Sequence, residues 1–354
     1  MTAQERIQLF KDTAKQRILV LDGAMGTVLQ RRGLEEDDYR GARFKDHTQD
    51  LKGNADVLNL TSPDVIKDIH MAFLEAGADI IESNTFNGTS ISQSEYGLQD
   101  YAYEISRAGA EIARAAADEM TTKTPERTRY VAGSIGPTNK TLSVSPEISD
   151  PAYRAISFDA MRDAYKEQAR GLIDGGADYL LVETIFDTLN AKATIVAIEE
   201  LGEELGYHIP IALSMTVTDL SGRTLSGQTV EGFWNSIRHS RPLTVGMNCA
   251  FGANDLRPFI AELSAIADTL ICAYPNAGLP DEMGEYTETP DMTASELEEW
   301  AASGFLNVVG GCCGTTPDHI RAIAEKASRH NPREIPATQH TLRLSGLEPL
   351  NVVS

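Results

Sequence analysis

Three of the four cysteines in this chain sit in short turn-like stretches, Cys249 in "GMNCA" and Cys312 and Cys313 in "VVGGCCGTT". Successive residues on a straight strand point to opposite faces. Cys312 and Cys313 can therefore meet one partner only if the backbone turns sharply between them, and Gly310, Gly311 and Gly314 permit such a turn. Three convergent thiolates suit Zn²⁺, which takes sulfur at about 2.3 Å in a tetrahedron and keeps a fourth position open when the protein supplies three ligands. The residues alone leave two other readings open. One is small buried cysteines in a tight turn. The other is a redox pair, which the absence of a C-x-x-C spacing disfavours. If a metal is held, three anionic ligands quench its charge, so it suits a thiol as fourth ligand better than an activated water. The expected chemistry is alkyl transfer onto a thiol rather than hydrolysis.

Carboxylates near the same strand ends could hold a substrate ammonium group. Asp22 in "LDGAMGT" and Glu183 in "LLVETI" are the best placed. Glu82 in "DIIESNTF" could equally be the partner of a buried donor, and Asp22 a strand-end cap. "GAMG" falls short of the dinucleotide fingerprint, and neither a phosphate-binding G-x-x-x-x-G-K-[ST] nor an H-E-x-x-H zinc motif is present. Cys272, between apolar neighbours, reads as core. His319 reads as a surface residue in the first turn of the last helix.

The elements that must position these groups recur along the chain. Eight β-rich runs, at 17–23, 78–86, 129–137, 177–185, 210–217, 243–250, 270–278 and 306–314, are apolar nearly throughout, as strands buried on both faces should be. Helical patterns lie between them. Ser62 with Pro63, and Thr316 with Pro317, mark two helix starts. "EAGADIIESNTF" and "DGGADYLLVETI" repeat one plan: helix end, glycine, Ala-Asp, strand body, glutamate. Alternating strands and helices predict a parallel sheet, and eight units fit a (β/α)8 TIM-type barrel better than a doubly wound sheet, the runner-up. The apolar run at 55–63 is read as part of a long excursion after the first strand. In such a barrel the active site lies at the C-terminal ends of the strands. Asp22, Ser134, Glu183, Asn276 and the three cysteines fall there.

The chain has 354 residues and a net charge of -21, which excludes nucleic acid and anionic membrane surfaces as partners. No run approaches the roughly 20 apolar residues of a membrane span, and the N-terminus lacks a signal-type stretch, so a cytoplasmic protein is expected. The barrel is expected over 1–330. The tail 331–354 reads as a linker or strap, with no periodic pattern but an apolar end.

The set "LDGAMGT", "ADIIESNTF", "VETIFDTLNAKA", "GMNCA" and "VVGGCCGTTPDHI" resembles the homocysteine methyltransferase family. The stretches "DLKGNADVLNLTSP", "AGSIGPTNKT", "DLSGRTLSGQT", "YPNAGLP" and "LSGLEPLN" are similar, within it, to the homocysteine-binding module of the cobalamin-dependent methionine synthases. The resemblance implies a (β/α)8 barrel with one Zn²⁺ on Cys249, Cys312 and Cys313, and L-homocysteine bound through its sulfur to that zinc. It implies Asp22 and Glu183 around the amino group, and the loop at Ser134 offering backbone groups to the carboxylate. It also implies Asn276 on the metal when substrate is absent. The methyl donor would be methylcobalamin carried by another module, and the chain would stop where a folate-binding module begins, as a fragment or a truncation. Two alternatives stand beside this: a standalone homocysteine methyltransferase using a sulfonium or betaine donor, and a non-catalytic zinc-binding barrel.

Overall fold

The structure is a computed structural model that describes residues 1–337 and 341–352. Eight parallel strands carry the fold: β1 (Leu19–Val20), β2 (Ile80–Glu82), β3 (Tyr130–Ile135), β4 (Tyr179–Ile185), β5 (Ile211–Met215), β6 (Thr244–Asn248), β7 (Leu270–Tyr274) and β8 (Val308–Val309). Each pairs with its sequence neighbour from β2 to β8, and β8 returns to β1 through Leu19↔Val308. A parallel bridge, Leu21↔Ile80, joins β1 to β2. That contact closes the ring, so the sheet is the (β/α)8 barrel rather than a doubly wound sheet.

Helices between the strands pack outside. Pro63–Glu75 buries Ile66, Ile69 and Phe73, and Pro317–Ala327 buries Ile320, Ile323 and Ala327. Pro at the first position fits both, since its missing N–H has no partner there anyway. Ser62 precedes the first of these helices but donates to Asp38 O instead of capping it (3.2 Å). The apolar run at 55–63 forms a short helix, Leu58–Thr61, within the long excursion between β1 and β2. His319 is not a surface residue. It is 5% exposed, its Nδ1 lies 2.9 Å from Thr316 Oγ1, and its Nε2 lies 3.0 Å from Glu288 O. The segment carrying Glu288 covers that side of the helix start while Asp318 beside it stays exposed, and no sequence period reveals such a contact.

Side-chain alternation sorts the strands into two cores. Leu19, Leu21, Ile80, Tyr130, Ala132, Tyr179, Leu181, Ala212, Leu270, Cys272, Tyr274 and Val308 fill the barrel interior. Cys272 is thus core, as its neighbours imply. The first helix, Ala3–Thr13, plugs the N-terminal mouth. Its Phe10 meets Tyr130 and Tyr179 edge-on, with centroids 5.2 and 5.7 Å away. Each fully buried Leu or Ile of this size contributes roughly 1.5–3 kcal/mol.

The internal repeat has a structural cause. Asp79 and Asp178 hold equivalent places at the strand starts. Asp79 pairs with Arg17 and Arg127 and accepts from Val20 N (2.9 Å). Asp178 pairs with Arg6 and Arg114 and accepts from Val131 N (2.8 Å). In a related stretch that opens the last strand, "FLNVVGG", Asn307 takes the place of the aspartate, and its Oδ1 accepts from Ile271 N at 2.9 Å. At the base of the barrel, then, the repeat ties one strand's acid or amide to its neighbour's backbone.

The tail is built rather than loose. Arg333 is 5% exposed and donates to the carbonyls of Ser264, Ala267 and Thr269 under the barrel. Beyond it, β9 (Leu342–Ser345) and β10 (Pro349–Val352) form an antiparallel hairpin on helix Val230–Ile237. The alternation of β9 runs the wrong way for a buried strand: Leu342 and Leu344 are exposed while Arg343 and Ser345 are half-buried, so a rule that puts apolar residues inside does not place the hairpin. Residues 338–340 and 353–354 of the expected tail lie outside the described residues. No helix is long and apolar enough to cross a membrane among the described residues.

Candidate metal centre and its carboxylate neighbours

β6 ends at Asn248, and the chain turns at once. Cys249 and Ala250 both take positive φ (58° and 63°). This left-handed pair swings the Cys249 thiol back over the barrel mouth. On the β8 side, Gly314 also has positive φ (82°), and a Cβ at Gly311 would lie 2.4 Å from Thr315 Cγ2. One glycine is thus required for conformation and the other for close approach. Between them the loop after β7 stitches the two cysteine turns together. Cys312 N donates to Pro275 O (2.8 Å), Ala277 N to Cys313 O (2.9 Å) and Asn276 N to Phe251 O (3.1 Å).

These turns bring the three sulfurs within 4.8 Å of one another, and Cys249 Sγ lies 3.9 Å from Cys313 Sγ. Ligand bonds of about 2.3 Å at tetrahedral angles require sulfurs about 3.8 Å apart. The set therefore fits a tetrahedral thiophilic ion such as Zn²⁺. The Cys313 thiol is pushed down to about 3 by hydrogen bonding with Cys249 and Cys312, with the Tyr286 hydroxyl adding a further bond. Cys312 is correspondingly pushed well up by Cys249 and Cys313. The trio thus gives up its first proton readily, as a metal-binding thiol cluster must. Tyr286 lies in the loop after β7, and nothing in the sequence marks it.

The carboxylates line the same mouth. Register places Glu82 opposite Ala132, and Ser134 two residues further along β3 on the same face. Asp22 Oδ2 accepts from Glu82 N (3.1 Å), while its Oδ1 is buried without a partner. Glu183 Oε1 accepts from Ser134 Oγ. Burial pushes Glu183 up to about 7, and the charge of Cys249 adds to that. Burial also pushes Asp22 and Glu82 well above the usual carboxylate range, with the charge of Glu183 helping. Glu82 Oε1 is buried and finds no donor among the described residues. Ser134 is 2% exposed, and its own N–H is taken by Ser83 Oγ (3.0 Å). Gly136 N is likewise taken by Phe86 O (3.0 Å). Asn276 is 3% exposed with an unpartnered Oδ1, a free acceptor in the loop between the cysteine turns.

Two residues of the rim fix this geometry. Thr184 takes positive φ (54°), rare for a β-branched residue, at a register shift between Val182 and Ile185. Asn248 holds it: Oδ1 accepts from Thr184 N (3.0 Å) and Nδ2 donates to Thr184 Oγ1 (2.8 Å).

The sequence pattern of the family described as homocysteine S-methyltransferase matches residues 19–327. The fold is similar to that of the homocysteine methyltransferase MmuM from Escherichia coli. Its metallated form matches at a TM-score of 0.68 and 24% identity over 88% of this chain and 97% of that one. Its apo form matches at a TM-score of 0.62, again with 24% identity, over 88% and 96%.

Proposed function

Because the chain belongs to the homocysteine S-methyltransferase family, we propose that it binds one Zn²⁺ through Cys249, Cys312 and Cys313 and presents the sulfur of L-homocysteine for methylation. The observation that carries this is the cluster of three sulfurs within 4.8 Å, at a mouth shared with buried carboxyls that have no basic partner among the described residues. When bound, Zn²⁺ supplies a site that keeps the homocysteine sulfur as a thiolate at neutral pH. The protein's own groups do the rest. Asp22 and Glu183 accept hydrogen bonds from the substrate ammonium, and Ser134 holds Glu183 in place. Asn276 fills the open side of the thiolate cluster with its amide oxygen until substrate arrives. The loop after β7 keeps the cysteine turns in register.

The methyl donor in this reading is methylcobalamin carried by a separate module, in cis or in trans, together with a folate-binding module that remethylates it. Such a donor would supply the methyl group to the thiolate and keep the cobalt–carbon electron pair, so that methionine and cob(I)alamin would be the products. The barrel, over 1–330, is the homocysteine-activating unit, and the tail 331–354, anchored at Arg333, is its linker. Support for this finer reading comes from the "DLSGRTLSGQT", "YPNAGLP" and "LSGLEPLN" stretches.

X-ray absorption at the zinc edge, with and without L-homocysteine, tests the first claim. Three sulfurs rising to four on addition of substrate is the expected result. A coordination shell that gains no sulfur removes it. Assays with methylcobalamin, a sulfonium donor and betaine test the second. Methionine formed from either of the latter, and none from methylcobalamin, makes the protein a standalone enzyme.

A further inference from the structure

The carboxylates at the mouth number one more than the two assigned to the ammonium group. β2 pairs with β3 through Ile80↔Tyr130 and Glu82↔Ala132, and Ile80, Tyr130 and Ala132 all lie in the barrel interior. Since side chains alternate along a strand, Glu82 points inward as Ile80 does. On β4, Tyr179 and Leu181 line the same interior, so Glu183 points inward too. Asp22 reaches the same place from β1, bonded through Oδ2 to the backbone of Glu82 at 3.1 Å.

Two oxygens there, Asp22 Oδ1 and Glu82 Oε1, are buried with no donor. None of the three carboxyls has an ion pair with Lys, Arg or His among the described residues. A buried acceptor without a donor costs free energy, and a buried uncompensated carboxylate costs more. A fold keeps such groups where a ligand completes them. A primary ammonium carries three N–H donors. Two carboxylates satisfy two of them.

We propose that Glu82 is the third carboxyl of the ammonium subsite and accepts the substrate N–H that Asp22 and Glu183 leave unmatched. This rests on the reading of the barrel mouth as the homocysteine site. Electrostatics agrees with the geometry, because burial, and after it the charge of Glu183, pushes both Asp22 and Glu82 upward. The subsite so formed selects a primary amine by donor count. A ligand with the same chain and thiol but no amine gains nothing from Glu82.

The test uses zinc-loaded protein and two thiols, L-homocysteine and 4-mercaptobutanoate, which differs from it by the missing amine. Binding is followed by titration calorimetry for the wild type, Glu82→Gln, Glu82→Asp and Asp22→Asn, with zinc content measured for each. Glu82→Gln should weaken homocysteine by on the order of 10- to 100-fold, the loss of one charge-assisted hydrogen bond, and leave 4-mercaptobutanoate and zinc unchanged. Glu82→Asp should fall between Gln and wild type. Unchanged homocysteine affinity in Glu82→Gln, beside a weakened Asp22→Asn, overturns the role of Glu82 and leaves the homocysteine site standing. Equal weakening of both thiols also overturns it, because Glu82 would then shape the pocket without meeting the amine. A wild type that binds neither thiol removes the homocysteine reading itself.

Discussion

Asn248 grips Thr184 at two points, with Oδ1 3.0 Å from Thr184 N and Nδ2 2.8 Å from Thr184 Oγ1. Thr184 follows Glu183, and Cys249 follows Asn248. One amide therefore fixes the spacing between the carboxylate end of the mouth and the thiolate end. A β-branched residue at positive φ costs of order 1–3 kcal/mol, so the clamp holds a strained bulge in place.

Asn248→Ala should release that bulge. We expect a stability loss of about 1–3 kcal/mol and a rise in KM for homocysteine larger than the fall in kcat, with zinc content unchanged. Urea denaturation and steady-state kinetics read the two effects. A KM equal to wild type would mean that the bulge keeps its shape without the clamp.

Removing one sulfur should cost the metal. Cys312→Ala and Cys313→Ala are each expected to weaken zinc binding by at least ~100-fold, beyond the loss seen for groups that only support a ligand. Competition with a chromophoric chelator measures this. Cys272→Ala is the control: its thiol lies in the barrel interior, so it should leave zinc affinity unchanged while lowering stability.

The ligand-free fold should become more stable when Glu82 is replaced by Gln, in a pH-dependent way. The folded-state pKa of Glu82 is raised. A raised pKa means the fold holds that proton more tightly than the unfolded chain. Its contribution is fully present below the unfolded value of about 4.3 and is lost as pH rises toward the folded value. At neutral pH the wild type thus bears a penalty that the Gln variant lacks. Zinc-loaded, homocysteine-free Glu82→Gln should gain about 1 kcal/mol at pH 7.5 and little at pH 4.5. A difference that is the same at both pH values would point to packing instead of charge.

At the other end of the barrel, Asp178→Ala leaves Arg6 without its acid, Arg114 with Asp118 alone, and Val131 N without its acceptor. The expected loss is ~3–5 kcal/mol, with homocysteine affinity unchanged in the protein that remains folded. Denaturation curves beside binding isotherms decide this. A weakened affinity would show that the two ends of the barrel are coupled.

Much of this protein was legible in its sequence. Uninterrupted apolar runs mark strands buried on both faces, and their alternation with Pro-started helices such as Pro63–Glu75 gives the barrel, because few other topologies bury eight such strands. The three cysteines were legible for a chemical reason: side-by-side thiols between glycines have few structural uses. Other features had no local signal. The burial of His319, the bond from Tyr286 to Cys313 and the anchoring of Arg333 under the barrel all depend on segments distant in sequence. β9 alternates with its leucines outward, the reverse of what a hydrophobic pattern leads one to expect.

The sequence by itself determined which elements form and which residue types are available at the strand ends. Strand pleating then dictated which of them point inward. Tertiary structure alone decided how the ends meet: the closure of β1 on β2, the left-handed turn at Cys249 that aims its thiol at Cys313, and the lack, among the described residues, of a donor for Glu82 Oε1. Those outcomes depend on ring closure and on what each buried atom finds opposite it. Both are properties of the packed whole that no stretch of chain carries alone.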